Sequence, residues 1–203
     1  MRIFKLIGVL VCAVAISAIA VTAASAATLP GVAGTSITGG SEKATLQVKG
    51  GASITCKVST ASGEVLGTSS ALAIIDFDTC TTAGLPVNSL GDTSGLILVH
   101  VEIFECPSNA GILILTVLPL HLEVPSTKLL LLIEGSALGT VETGVKKSTF
   151  SLTVTQKEGK NTVETCGKEK LVLSTSTDGS AFVQSGEEAK GATLTFGAEQ
   201  EFM

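Results

Sequence analysis

The sequence predicts an all-β protein: an antiparallel β-sandwich, with a closed or partly closed β-barrel as the alternative. Three observations carry this expectation. Short runs with apolar residues at every second position recur along the chain, separated by turns rich in Gly, Ser, Thr and Asn. No long segment sets apolar residues at helical spacing between capping residues. Two central runs, Gly111 to Leu118 and Lys128 to Ile133, are apolar at successive positions, as strands covered on both faces are.

Before those strands, the chain opens with the cations Arg2 and Lys5, an apolar stretch from Leu6 to Ala20, and the small residues Ala24-Ser25-Ala26. This is the pattern of a secretory signal peptide over residues 1–26, because the apolar stretch is short for a bilayer span and a small-x-small site follows it. Cys12 lies inside the apolar stretch behind Val11, well before that site, so it reads as an apolar signal residue and not as a lipid-anchored cysteine. The expected location is therefore secreted or extracytoplasmic, at the cell envelope.

Residues 27–42 are small, polar and Gly-rich without periodicity, and read as a flexible N-terminal arm. A single all-β domain is expected over 43–203, a length that can bury a sizeable core. Its strands are expected at Lys43 to Val48, Ser53 to Val58, Leu72 to Phe77, Leu96 to Phe104, Ile112 to Val124, Lys128 to Ile133, Ser148 to Thr155, Lys170 to Thr175, Ala181 to Gln184 and Ala192 to Phe196. Within Ser148 to Val154, Phe150, Leu152 and Val154 share one face and hydroxyls the other, a half-solvated strand. Gly135 to Gly139 reads as a break between strands, and Gly179 and Gly186 as hairpin turns around Ala181 to Gln184.

Charge narrows the partners. The chain carries 13 Lys and Arg against 18 Asp and Glu, a formal net charge of −5. Cleavage after Ala26 removes Arg2 and Lys5, so 13 − 2 = 11 cations remain against the same 18 acids, a net charge of −7. Such a surface excludes nucleic acid, whose phosphates need clustered cations. No membrane span is expected after signal removal: Pro119, His121 and Glu123 interrupt the first apolar run, the second is far shorter than the roughly 20 residues a helix needs, and a barrel would want aromatic girdles where Trp and Tyr are both absent. The same absence argues against a carbohydrate-stacking lectin.

Outside the signal, four cysteines remain: Cys56, Cys80, Cys106 and Cys166. Their wide spacing is unlike a zinc site, and in an exported chain it reads as two disulfides with three possible connectivities. Cys56 with Cys80, and Cys106 with Cys166, is the preferred pairing, since Cys56 and Cys80 each close an alternating run on neighbouring strands.

Ile54-Thr55-Cys56, Ser62-Gly63-Glu64, Phe77-Asp78-Thr79-Cys80, the two apolar runs, Gly135 to Gly139 and Phe150 to Thr153 ahead of Gln156-Lys157 follow one another in a familiar order. The chain resembles a group of uncharacterised secreted β-rich proteins of actinobacteria over most of its mature length. The resemblance implies kinship and habitat, and carries no activity.

Several constellations invite chemistry. His100-Val101-Glu102 and His121-Leu122-Glu123 each place an imidazole and a carboxylate on one strand face. A hairpin turning near Ser108-Asn109 would set His100 opposite Val117 and His121 opposite Leu96, leaving the two triplets about 13 Å apart at ~3.3 Å per residue. That separation is too wide for one ion, so no metal is expected. Asp76 and Asp78 share a face but lack the further oxygens a calcium site needs, and Gly91 to Gly95 has the residue types of an ordinary turn. No serine stands in a nucleophile motif. Neither catalytic residues nor a cofactor is expected, and the chain reads as a non-enzymatic module of unknown partner, meeting an envelope protein or its own copies through β edges. The alternative is a carrier that holds a small apolar ligand in a barrel-like cavity, suggested by the strands apolar on both faces.

Overall fold

The computed structural model describes residues 32–48, 51, 53–67, 70–106, 111–155, 173–177 and 181–202. The expected signal segment and Cys166 lie outside them. Among the described residues there is no helix, and the strands pair antiparallel throughout.

The first three long strands are each interrupted once. β1 (Ser36–Ser41) leads into β2 (Lys43–Val48), β3 (Ile54–Cys56) into β4 (Val58–Val65), and β5 (Ala71–Asp78) into β6 (Thr81–Thr82). Register is kept across every interruption: Ser41 pairs Ser59 and Ala44 pairs Cys56, while Val58 pairs Asp78 and Thr55 pairs Thr81. Short strands β7 (Leu85–Pro86) and β8 (Asn88–Ser89) lead to β9 (Ile97–Cys106). A bent hairpin follows, with β10 (Gly111–Thr116) and β11 (Leu120–Val124) running against β12 (Leu129–Glu134) and β13 (Ser136–Thr140). The chain ends with β14 (Lys147–Thr155), β15 (Ser174–Ser176) and the eighteen-residue β16 (Val183–Gln200).

Neighbouring strands run β1-β4-β5-β9-β10-β13-β14-β16, continue through β15, β12 and β11 to β8, and β16 also pairs β1. Although the order comes back from β16 to β1, the result is a sandwich of two layers joined at their edges and not a barrel. β13 and β14 share only the pairs Gly139/Val154 and Thr140/Thr153, and β16 serves two sheets at once.

A crease crosses the first layer. In β1 the buried side chains are odd-numbered (Ile37, Ser41), and in β2 Ala44 is buried; β3 buries Ile54 and Cys56, β4 Ser59 and Val65. β5 buries Ala71 and Ala73, whereas Cys80 and Thr82 are buried beyond it. β16 changes phase likewise, from Ser185 to Ala192, Leu194 and Phe196. One residue in each strand leaves the extended conformation: Glu42, Lys57, Thr79 at φ 54 and Gly191 at φ 62. Both members of each pair skip together, which reverses the faces and preserves the ladder.

One apolar core joins the layers, and within it Phe150 packs edge to face against Phe196 and Phe202. Phe150, Val154 and Leu152 turn to this core as alternation predicts.

Five expectations need correction. Residues 36–41 of the arm form β1. Gly39 and Gly40 are needed there because a Cβ would meet Thr193 O at 2.5 Å and Ser59 O at 2.3 Å, so the composition that reads as a loose arm is the composition that lets backbones approach. Gly186 is not a turn: it pairs Gln47 inside β16, which unites two expected strands. Gly135 alone marks the break, at φ 106, and Ser136 to Gly139 belong to β13. Ile112 to Val124 divides into β10 and β11 around Pro119. The outer side of the apolar hairpin is also less covered than expected, since Leu130 is 53% and Leu118 72% exposed.

Candidate functional site

The two layers do not meet everywhere. Between them lies an apolar cavity of about 100 Å³ that is partly open to solvent. Leu46 and Ile54 approach from the first layer, Val99 from β9, and Leu122 and Ile133 from the second. These positions are inward because each strand alternates.

Among the described residues Glu187 is the one titratable side chain in this wall. It sits on β16 directly across from Leu46 and two residues from Ser185, on the inward phase of the strand below Gly191. The side chain is half-buried against the apolar wall, and that burial pushes its carboxyl from 4.5 up to about 7, because ionisation there costs hydration. It has no hydrogen-bond or ion-pair partner among the described residues. The other polar group of the wall, the Thr116 hydroxyl, is committed: it donates to the Gly135 carbonyl at 3.0 Å.

Cys56 also reaches the wall and is bonded to Cys80, with sulfurs 2.07 Å apart. Both cysteines are buried, at 5% and 0% exposure, so the bridge is enclosed structure. The side chain of Cys106 and the whole of Cys166 lie outside the described residues, and with them the second expected bridge.

The histidine triplets are not brought together. His100 and Glu102 lie on the outer face of β9, and the Val117 amide donates to the His100 carbonyl, the register expected of the hairpin. His121 and Glu123 lie on β11, which pairs β8 and β12 in the other sheet. Glu123 accepts a hydrogen bond of 2.8 Å from Asn88 Nδ2, which occupies its carboxylate. No group of three or more ligating side chains occurs among the described residues. Asp76 and Asp78 do share the outer face of β5, where Asp78 accepts from the Thr79 amide and hydroxyl. Gly91 and Gly95, both at positive φ, bracket a turn closed by Leu96 N to Thr93 O.

Glu187 had no signal in the sequence. Ser185-Gly186-Glu187-Glu188 contains no apolar residue, so alternation is silent there, and the inward phase becomes visible only through the pairing with β2.

A second concavity, a surface groove of about 340 Å³, runs over the outer face of β4, β5 and β9, where Leu72, Ile74 and Val117 are 40–47% exposed beside His100 and Glu64. Comparison of the chain with protein-family models, with curated proteins and with solved structures finds no match.

Proposed function

We propose that this chain is an exported, non-enzymatic β module that carries a small apolar ligand between its two layers. The observation behind the reading is the apolar cavity, lined from both layers and holding one carboxyl that has no partner among the described residues. Export is supported by the N-terminal cations, apolar stretch and small-x-small site, and by the Cys56–Cys80 bridge, a bond favoured in oxidising compartments. Sites for drug-sized ligands occupy roughly 300–1,000 Å³, so a cavity of about 100 Å³ suits a ligand of a few heavy atoms.

Native mass spectrometry of the purified protein, with xenon or an apolar fluorophore titrated against it, tests this. Saturable uptake that is lost in Ala137→Leu, which places added methyl groups in the cavity wall, supports carriage. Uptake that never saturates, or that is unchanged in the filled variant, overturns it.

A second reading rests on the outer groove. Leu72, Ile74 and Val117 form an apolar strip on a sheet face, the kind of surface through which an envelope-associated interaction or structural module engages a partner. Recovery of the chain with cell-envelope fractions, weakened by Ile74→Lys, supports that reading; a monomer found only in the medium counts against it.

A further inference from the structure

The carrier reading leaves open why a carboxyl sits in an apolar wall. A lone carboxylate removed from water is stabilised by a proton, by a cation or by hydrogen-bond donors. Among the described residues the wall supplies no cation and no free donor. Its groups from β2, β3, β5 and β9 are hydrocarbon or the bridged Cys56, and those from β10 to β13 are hydrocarbon apart from the committed Thr116 hydroxyl. On β16 itself the neighbouring Glu188 takes the opposite phase, in register with Thr45 and Thr155. Lys43 and Lys190, paired with each other across β2 and β16, are exposed on that opposite face.

A metal ion is a poor complement, since hard cations require several oxygen ligands and the wall has one carboxyl. An organic cation needs only one, provided its remaining surface is apolar. We infer that the cavity takes a short-chain aliphatic amine, with its alkyl part against Leu46, Val99 and Leu122 and its ammonium group hydrogen-bonded to the Glu187 carboxylate. The inference rests on the carrier reading and names the ligand class of the same cavity.

Size and protons agree with this choice. An engineered apolar cavity of about 150 Å³ accommodates benzene, so about 100 Å³ fits a chain of roughly four or five heavy atoms. An alkylammonium, like a lysine, keeps its proton up to about pH 10. Glu187 gives up its own near 7. Binding therefore forms a neutral, charge-assisted pair and tightens as the pH rises through 7, where the free carboxyl ionises.

The test uses the oxidised full-length domain, followed by ¹³C-methyl NMR of the cavity Leu, Ile and Val residues. n-Butylammonium, 1-butanol and xenon are titrated separately. At pH 8 n-butylammonium should saturate the methyl shifts with at least tenfold higher affinity than 1-butanol. Glu187→Gln should lose at least tenfold for the amine while its xenon response still saturates. Between pH 6 and pH 8 the wild-type affinity for the amine should rise severalfold. Equal affinity for amine and alcohol, or an amine affinity untouched by Glu187→Gln, overturns the amine assignment while a saturable xenon response keeps the carrier reading. Should Glu187→Gln not fold, an amine affinity that is flat from pH 6 to pH 8 in the wild type overturns it. Absence of any response to xenon removes the carrier reading and the amine with it.

Discussion

Cys56 stands directly across from Cys80, on the line where the first layer bends. Ile54 pairs Thr82 on one side of them and Val58 pairs Asp78 on the other, and their Cα atoms are 4.0 Å apart. The bridge thus ties two strands at the point where both lose an extended residue, Lys57 in one and Thr79 in the other. It holds the crease beside the cavity, whose wall Cys56 reaches.

Reduction of that bridge should weaken the fold without abolishing it. The cysteines are 24 residues apart in sequence, a loop whose closure in the unfolded chain is worth about 3 kcal/mol. A core that runs through both layers remains when the bridge is gone. Urea unfolding of a Cys56→Ala/Cys80→Ala variant should show a stability lowered by that amount, read from a lower midpoint, with a cooperative transition retained. An unchanged midpoint would mean that the crease is held by strand pairing alone.

The strands that alternate without interruption were legible from the chain: Lys43 to Val48, Leu72 to Phe77 and Ser148 to Thr155 keep one face throughout, and period two finds them. Alternation cannot announce its own reversal. At Glu42, Lys57, Thr79 and Gly191 the inward face passes from one parity to the other, and only the paired strand reveals that both partners skip together. Gly39 and Gly40 mislead for a related reason, since close backbone approach selects the residue type that composition assigns to loose segments. Glu187 was out of reach because its inward direction is a property of its pairing with Leu46 and of the bend at Gly191, not of the residues beside it.

Stability should depend on pH through Glu187. The folded state holds its proton up to about pH 7, whereas the unfolded carboxyl releases it near 4.5. Between those values the folded chain binds more protons, so stability falls as the pH rises and stays lower above 7. The gap corresponds to about 3 kcal/mol. Wild type and Glu187→Gln should therefore be nearly equally stable at pH 4.5, with the variant more stable by about that much at pH 8. Chemical denaturation of both proteins at the two pH values reads the difference, and a difference independent of pH would show that the carboxyl is not desolvated.

Gly63 should tolerate no side chain. A Cβ there would lie 2.0 Å from the Leu72 carbonyl oxygen and 2.7 Å from the Ala73 Cα, both backbone atoms of the paired strand. Gly63→Ala must then push β4 from β5 and cost about 2–3 kcal/mol. Gly67→Ala, whose Cβ would meet nothing within 4 Å, should stay within about 0.5 kcal/mol of wild type. Denaturation midpoints of the two variants make the comparison. Similar values would place Gly63 in a looser ladder than its register with Ala73 implies.

Phe150, in the core, and Phe77, packed against it, should respond unequally to truncation. Phe150 is fully buried, with its ring 4.6 Å from that of Phe202 and 6.1 Å from that of Phe196, so its removal loses both transfer energy and edge-to-face contacts. Phe150→Ala should cost about 3–5 kcal/mol, the range for an aromatic cut from a packed core. Phe77 is half-buried and fronts the cavity, with fewer atoms to lose contact with, so Phe77→Ala should cost less than half as much while enlarging the space beside Val99. Urea midpoints give the first comparison. Xenon-induced methyl shifts give the second, and uptake should rise in Phe77→Ala and stay unchanged in Phe150→Ala. Equal destabilisation by the two substitutions would mean that the interior beside Phe77 is packed as tightly as that around Phe150, leaving no room for a ligand.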